Sequence, residues 1–202
     1  MRRIGILGGT FNPIHIGHLR MAQVAEENLR LDKVLFIPSY LPPHKSGRNI
    51  LSADDRYEMA RLAAQGNSHF EVSNFEINKR GKSYSIDTVR YLQSQYPKDT
   101  KLFFIIGYDS FLTLSKWKKI NELLNLVTFV VINRPGAKAV KPKIKAFSLL
   151  MPGLDVSSSY IRSQIAKGKT GRYLVPERVW EYIEKNRLYY SSYWNFKNKR
   201  KD

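Results

Sequence analysis

Short apolar runs alternate with amphipathic segments along most of this chain. Residues 102–106, Leu-Phe-Phe-Ile-Ile, are apolar at every position, as expected of a central strand that is covered on both faces. Residues 4–7 and 33–37 form similar runs, and residues 19–31 between them repeat apolar side chains at helical spacing. A strand, a helix and a strand of these lengths form a βαβ unit with parallel strands and a right-handed crossover. The pattern therefore predicts an α/β fold.

The same alternation continues to the end of the last amphipathic segment. It predicts further strands at 70–77, 127–132 and 147–150, and helices at 52–66, at 110–126, after 157 and from 176, with another helix that is opened by residues 83–88 and ended by Pro97. Ser52 and either Ser83 or Ser85 are the expected caps. We expect a Rossmann-like, doubly wound parallel sheet with helices on both faces and a small C-terminal helical extension. Residues 1–189 form one predicted domain, helical from about 157, and residues 190–202 form a basic, aromatic tail.

Composition allows one sizeable core and excludes a membrane span. Apolar residues make up 43% of the chain, and no run approaches the ~18 apolar residues that a transmembrane helix needs. The N-terminus leads directly into a strand instead of a signal peptide. We therefore expect a cytoplasmic protein with no membrane partner. The sequence leaves the oligomeric state open, a homo-oligomer included.

The charge balance favours anionic partners. The chain has 34 Lys and Arg against 17 Asp and Glu, a formal net charge of +17, so its surface potential attracts polyanions. Nucleotide phosphates, nucleic acid and anionic lipid are the candidates. Much of the excess lies at 138–145 and in the tail at 197–201, and such runs are usually solvated loops and chain ends. The charge alone is therefore a weak argument for nucleic acid.

Candidate chemistry begins where the first strand ends, at Gly8-Gly9-Thr10-Phe11. The two glycines allow backbone conformations that a side chain would block. A helix that begins near His15 places His15 and His18 on one face, beside N–H groups that the first turn leaves unpaired. Such a turn before a helix favours an anion such as phosphate. A metal site or two structural histidines are the alternatives, although a chain without cysteine is a poor candidate for structural zinc.

Further polar residues follow the other predicted strands. Ligands of parallel α/β sheets bind at the carboxyl ends of the strands. His44 and Lys45 lie in a proline-rich loop after the second strand, Gly107 and Asp109 follow the central run, and Arg134 follows strand 127–132. A loop with a chance cation is the alternative for the first pair, and a helix cap is the alternative for Asp109.

Two more features fit the same edge. The hydroxyls of Ser157, Ser158 and Ser159 stand just before a predicted helix that carries Arg162, and together with free N–H groups they form a second plausible phosphate site. Ordinary serine capping is the alternative. Trp117, between Lys116 and Lys118, either packs in the core or stacks on a planar ring.

Taken together, these motifs resemble the bacterial nicotinate-nucleotide adenylyltransferases of the nucleotidylyltransferase superfamily. The resemblance covers residues 1 to about 189. HxGH and the later SSxxIR-type motif mark the superfamily, and SYSIDT with the Trp117 region marks the pyridine-nucleotide branch. The motifs stand in the family's order: GGTFNPIHIGH at 8–18, PPHK at 42–45, SYSIDT at 83–88, GYDSF at 107–111, NRPG at 133–136 and VSSSYIR at 156–162.

The resemblance implies transfer of AMP from ATP to nicotinate mononucleotide, with deamido-NAD and pyrophosphate as products in NAD biosynthesis. In such enzymes the phosphate oxygen of the mononucleotide attacks the α-phosphorus of ATP in line, without a covalent intermediate. ATP is the co-substrate, and Mg²⁺ is bound mainly through its phosphates. No metal ligand is therefore expected from the protein.

The resemblance also implies roles for individual residues. Catalytic contacts with the ATP phosphates fall to His15, His18, Lys45 and Arg162. Trp117 is expected to stack on the pyridine ring, and backbone N–H groups near Ser85 and Lys118 are expected to receive the nicotinate carboxylate, with Arg134 also on the mononucleotide side. The ATP site would comprise Gly8, Gly9, Thr10, Phe11, His44, Gly107, Asp109, Ser158 and Ser159.

Three departures from the family pattern leave alternatives open. Asn12 stands where the family usually has Asp, Ser85 stands for the usual Thr, and VSSSYIR replaces the commoner ISSTxIR. Within the superfamily, nicotinamide mononucleotide or phosphopantetheine are alternative acceptors. In a different class, the charge of +17 fits a nucleic-acid-binding protein that keeps the fold.

Overall fold

The computed structural model describes residues 1–43, 50–133, 144 and 146–190. In this part of the chain, six parallel strands form one sheet: β1 (Arg3–Gly9), β2 (Lys33–Pro38), β3 (Phe70–Val72), β4 (Lys101–Gly107), β5 (Thr128–Asn133) and β6 (Ala146–Leu150). Their order across the sheet is β3-β2-β1-β4-β5-β6. This order is that of a doubly wound sheet, which reverses its winding between β1 and β4 and binds ligands outside that point. The predicted fold class is confirmed.

Helices cover both faces of the sheet and divide the core into two clusters. Alternate residues of β4 face opposite sides, so Phe103 and Phe104 belong to different clusters. Phe103 packs with the helices at 16–29, 53–64, 158–166 and 177–185, and Phe104 packs with the helices at 85–95 and 120–126. This double burial explains the uninterrupted apolar run of that strand. The helices are α1 (Ile16–Leu29), α2 (Ala53–Ala64), α3 (Phe75–Lys79), α4 (Ser85–Gln95), α5 (Tyr108–Leu112), α6 (Ile120–Leu126), α7 (Ser158–Ala166) and α8 (Glu177–Lys185), with a 3₁₀ turn at Leu114–Lys116.

The predicted strand at 70–77 is wrong in its second half. β3 ends at Val72, and residues from Phe75 onward form the short helix α3. In α3 the Glu76 side chain is buried, and the Phe75 ring lies flat on the Tyr91 ring with centroids 4.0 Å apart. Tertiary packing therefore overrode an alternation that was read as a strand.

The predicted helix at 110–126 is wrong as one continuous element. It is divided into α5, the 3₁₀ turn and α6, and Lys119 adopts a left-handed conformation with φ of 55° just before α6. These breaks turn the Trp117 ring edge-on to Phe104 and Phe129. A straight helix offers no such reorientation, because its periodicity alone decides which residues share a face.

Candidate active site

The site is built where β1 and β4 end, at the point where the sheet reverses its winding. Gly8 and Gly9 belong to β1 itself instead of forming the predicted turn, because they continue the register with β2, where Gly9 pairs with Pro38. A Cβ on Gly9 would lie 2.6 Å from the Phe11 ring, so this position requires glycine. Gly8 is exposed and has room for a Cβ, and the left-handed residue of the loop is Phe11, with φ of 49°.

The loop formed by residues 10–13 is held by side chains from two helices. Arg56 of α2 donates to the Thr10 carbonyl at 2.8 Å. From α7, Arg162 donates to the Asn12 carbonyl at 2.8 Å and Ser158 donates to the Pro13 carbonyl at 2.8 Å. These bonds turn three carbonyl oxygens, which would repel an anion, toward protein donors.

His15 and His18 lie together at the N-terminus of α1, as predicted. Their rings stack with centroids 3.7 Å apart, and the edge of Phe11 meets His18 at 5.1 Å. His15 is the N-cap residue, so the helix begins one residue later than expected. His15 is buried and His18 is half-buried.

A backbone hydrogen bond from His15 favours one tautomer of the His18 ring. The His15 backbone N–H donates to Nδ1 of His18 at 3.2 Å. In the neutral ring, an accepting Nδ1 leaves the proton on Nε2. Nε2–H of His18 is thus the ring donor that an anion could meet, and the helix N-terminus beside it adds positive potential.

The start of α7 supplies a second group of donors. Ser157 caps the helix by accepting from Tyr160 N–H at 3.2 Å, so capping falls to Ser157 and not to Ser158 or Ser159. Ser159 instead accepts from Arg162 at 3.2 Å. Burial lowers the pKa of the half-buried Arg162, but guanidinium remains charged at neutral pH. Its named partners are neutral oxygens, so the group carries net positive charge to this edge.

On the other side of the reversal point, the beginning of α4 faces residues that follow the 3₁₀ turn. The Lys118 ammonium lies 4.1 Å from the centre of the Tyr84 ring, beside Ser85, the first residue of α4. Neither predicted serine caps this helix: Tyr84 is the N-cap residue, and its side chain makes no capping bond. The Ser83 hydroxyl accepts from Tyr40 N–H at 2.9 Å instead.

Trp117 lies on this same side and is half-buried. It meets Phe104 at 5.6 Å and Phe129 at 6.3 Å, both nearly perpendicular to it. Edge-to-face packing of this kind is favourable for aromatic rings. The two interpretations of Trp117 are therefore compatible, since packing uses its contacts with the sheet while the residue keeps part of its surface exposed.

Gly107 and Asp109 follow β4 as predicted. Gly107 is the N-cap residue of α5, and Asp109 is exposed in its first turn, so Asp109 is not the cap. Since β1 and β4 are parallel and Ile6 pairs with Phe104, the carboxyl ends of both strands lie at the same edge of the sheet. Three other predicted residues, His44, Lys45 and Arg134, lie outside the described residues.

Arg56 is the residue that the sequence analysis missed. It is 1% exposed and bonds to the carbonyls of Leu51, Thr10, Ser39 and Tyr40. It thereby ties α2 to the 10–13 loop and to the loop after β2. A signal was present, because Arg56 lies three and four positions before the buried Met59 and Ala60 and so shares their helix face.

The described residues lack two features. No group of three or more His, Cys, Asp or Glu side chains there could hold a metal ion. No helix in those ranges has the length and apolar character needed to cross a bilayer.

Comparison with known proteins places this architecture in a family. A family model described as cytidylyltransferase-like matches residues 6–164. A probable nicotinate-nucleotide adenylyltransferase of Bacillus cereus (strain B4264) is 46% identical over 191 residues, which cover 95% of this chain and 100% of that protein. The chain belongs to the nicotinate-nucleotide adenylyltransferase family. A second probable adenylyltransferase of this family, from Desulfitobacterium hafniense (strain Y51), is 43% identical over 93% of this chain and 96% of its own length.

Solved structures agree with the adenylyltransferase fold. Plasmodium falciparum nicotinic acid mononucleotide adenylyltransferase, complexed with NaAD, superposes with a TM-score of 0.78 at 18% identity, covering 94% of this chain and 98% of that one. A putative nicotinate-nucleotide adenylyltransferase of Vibrio parahaemolyticus has a TM-score of 0.67 at 24% identity, covering 94% and 96%. At these identities the similarity concerns the fold alone.

Proposed function

We propose that this protein transfers AMP from ATP to nicotinate mononucleotide, releasing pyrophosphate and forming deamido-NAD in NAD biosynthesis. The observation that carries the proposal is the meeting of the α1 and α7 N-termini at the 10–13 loop, in a chain 43–46% identical to members of this family. Two helix N-termini and one guanidinium at one edge suit a triphosphate.

In this mechanism the mononucleotide phosphate attacks the α-phosphorus in line, and the protein contributes position and charge. His18, through Nε2–H, and His15 stabilise charge that develops on the phosphoryl oxygens. Arg162, with Ser158 and Ser159, holds the leaving pyrophosphate. Lys45 and His44 are assigned to the phosphates on the resemblance alone. The ATP site also includes Gly8, Gly9, Thr10, Phe11, Gly107 and Asp109.

The mononucleotide side is assigned to the start of α4 and the segment after the 3₁₀ turn. Trp117 offers a ring face for the pyridine. The Lys118 ammonium beside Tyr84 is positively charged, and the first N–H groups of α4 near Ser85 add the positive potential of a helix N-terminus. Both groups therefore favour a carboxylate over an amide. This is the physical basis for the acid as substrate over nicotinamide mononucleotide. Arg134 is assigned here on the resemblance alone.

Mg²⁺ fits as an ion carried by ATP. Mg²⁺ keeps several of its waters and is commonly held by phosphates with one or two carboxylates. The assignment of the ion to the ATP phosphates rests on the resemblance. When bound, the ion neutralises charge on the phosphates.

The test is pyrophosphate release by the purified full-length protein. Release should require ATP, Mg²⁺ and nicotinate mononucleotide together, and nicotinamide mononucleotide at equal concentration should support a slower reaction. Phosphopantetheine serves as the third acceptor. No release with any acceptor would reject adenylyl transfer, and faster release with the amide would reject the assigned carboxylate site.

A further inference from the structure

Tyr189, which follows α8, lies in the interior beside the candidate active site. It is fully buried, and its hydroxyl donates to Oδ1 of Asn12 at 2.9 Å. The bond joins residues 177 positions apart. It therefore connects the C-terminal part of the described chain to the 10–13 loop.

Asn12 connects more than these two segments. Its Oδ1 also accepts from Leu51 N–H at 3.3 Å, just before α2, while its backbone carbonyl accepts from Arg162. Because an N–H can only donate, the atom facing Leu51 is the amide oxygen, and the Tyr189 hydroxyl must then be the donor. The position of Asn12 is thus determined jointly by α7, by the approach to α2 and by Tyr189.

The Tyr189 hydroxyl is suited to donate its hydrogen bond to Asn12 at all times. Burial raises the pKa of the Tyr189 phenol well above its ordinary value, so the hydroxyl stays protonated at neutral pH and remains a donor. Asn12 is itself buried, and without the phenol its Oδ1 loses the shorter of these two donor bonds, which is costly in the interior. Loss of the phenol oxygen should move the amide, and with it the Asn12 carbonyl that holds Arg162.

We propose that Tyr189 is a positioning residue for the ATP phosphates, acting through Asn12 on the 10–13 loop and Arg162. This inference rests on the proposed function. Tyr189 packs in the core cluster of α1, α2, α7 and α8, whereas Trp117 packs on the opposite face of the sheet. The effect of Tyr189 should therefore fall on ATP and on turnover, with little change at the mononucleotide side.

The test compares Tyr189→Phe with Tyr182→Phe in the full-length protein. Tyr182 of α8 also donates its phenol hydroxyl to a side chain, but the acceptor is Asp55 of α2, at 3.0 Å, and not a residue of the 10–13 loop. Each variant therefore loses one phenol hydroxyl and the hydrogen bond that it donates. For Tyr189→Phe we expect kcat to fall about tenfold and KM for ATP to rise, with KM for nicotinate mononucleotide changed less than about twofold. Tyr182→Phe should leave all three constants close to those of the parent protein.

Two further measurements separate positioning from stability and from the reaction itself. Thermal unfolding should show a larger loss in Tyr189→Phe than in Tyr182→Phe, because only the Tyr189 bond is fully buried, so the kinetics are compared at a temperature below the unfolding range of both variants. Calorimetry with ATP and Mg²⁺ alone should show weaker binding only in Tyr189→Phe. Unchanged kinetics and unchanged ATP binding in Tyr189→Phe would overturn the proposal, as would equal kinetic losses in the two variants. If the parent protein releases no pyrophosphate, the proposed function fails, and the ATP calorimetry still decides whether Tyr189 positions the loop.

Discussion

The 10–13 loop and the region around Trp117 are stabilised by different kinds of contact. At the loop, Arg56, Arg162 and Ser158 bond to successive backbone carbonyls, and these anchors are buried or half-buried. Around Trp117, short helical pieces meet through ring edges, and Lys118 is exposed. A transition state with developing charge needs donors fixed in advance, whereas a planar ring needs mainly a surface to lie on. The loop that we propose to lie at the ATP phosphates is therefore the part held by buried and half-buried hydrogen bonds.

The largest expected effect comes from His18→Ala. Removing one preorganised donor of a charged transition state should lower kcat by about 100-fold, with KM for nicotinate mononucleotide nearly unchanged. Steady-state kinetics with each substrate varied in turn would measure both constants.

His18→Asn is the control for the helix cap. A short amide oxygen can still accept from His15 N–H, so this variant should keep the thermal stability that His18→Ala loses, yet show a similar loss of kcat. A turnover number unchanged in both variants would contradict the role assigned to the imidazole.

A smaller and more selective effect is expected for Trp117→Ala. Loss of a stacking surface should raise KM for nicotinate mononucleotide about tenfold, while KM for ATP changes little. Trp117→Phe keeps an aromatic face and edge contacts with Phe104, so it should recover most of the affinity. Equal increases in both KM values would mean that Trp117 acts through packing alone.

The smallest effect concerns Glu76, the buried carboxyl of α3 beneath the start of α4. Burial raises the pKa of Glu76, although hydrogen bonds from Ser83 and Thr88 oppose the shift. A carboxyl whose pKa is raised by folding contributes most stability below about pH 4.3, where Glu is protonated even in an unfolded chain, and this contribution is lost as pH rises through its folded pKa. The free energy of unfolding of Glu76→Gln should therefore increase relative to that of the parent protein as pH rises from 4 to about 8.

Glu122 provides the control of opposite sign. Its hydrogen bond with Arg90 lowers the pKa of the Glu122 carboxyl, so Glu122→Gln should lose stability relative to the parent as pH rises. Urea unfolding of the parent and both variants across this range measures the two slopes. Parallel pH profiles for the parent and Glu76→Gln would show that the Glu76 carboxyl is not penalised by burial.

The spacing of apolar residues along the chain was sufficient to predict most strands and helices, but it failed where a predicted element is interrupted. The apolar run of β4 and the amphipathic α1 were found because burial on two faces or on one stripe leaves a visible period. The predictions for residues 75–79 and 113–119 are wrong because tertiary contacts with Tyr91, Phe104 and Phe129 determine the conformations of these segments. Such contacts are distant in sequence and leave no period to read.

For the site, the candidate groups could be read from the sequence: two imidazoles three residues apart, the serines with Arg162, and Trp117 between two lysines. Their spacing relative to strands and helix starts is local information. The burial of Arg56 beneath the 10–13 loop and the bond from Tyr189 to Asn12 could be seen only in the folded chain. Those bonds join residues 46 and 177 positions apart, and a hydrogen bond across such separations depends on how the helices pack, which no short segment of sequence encodes.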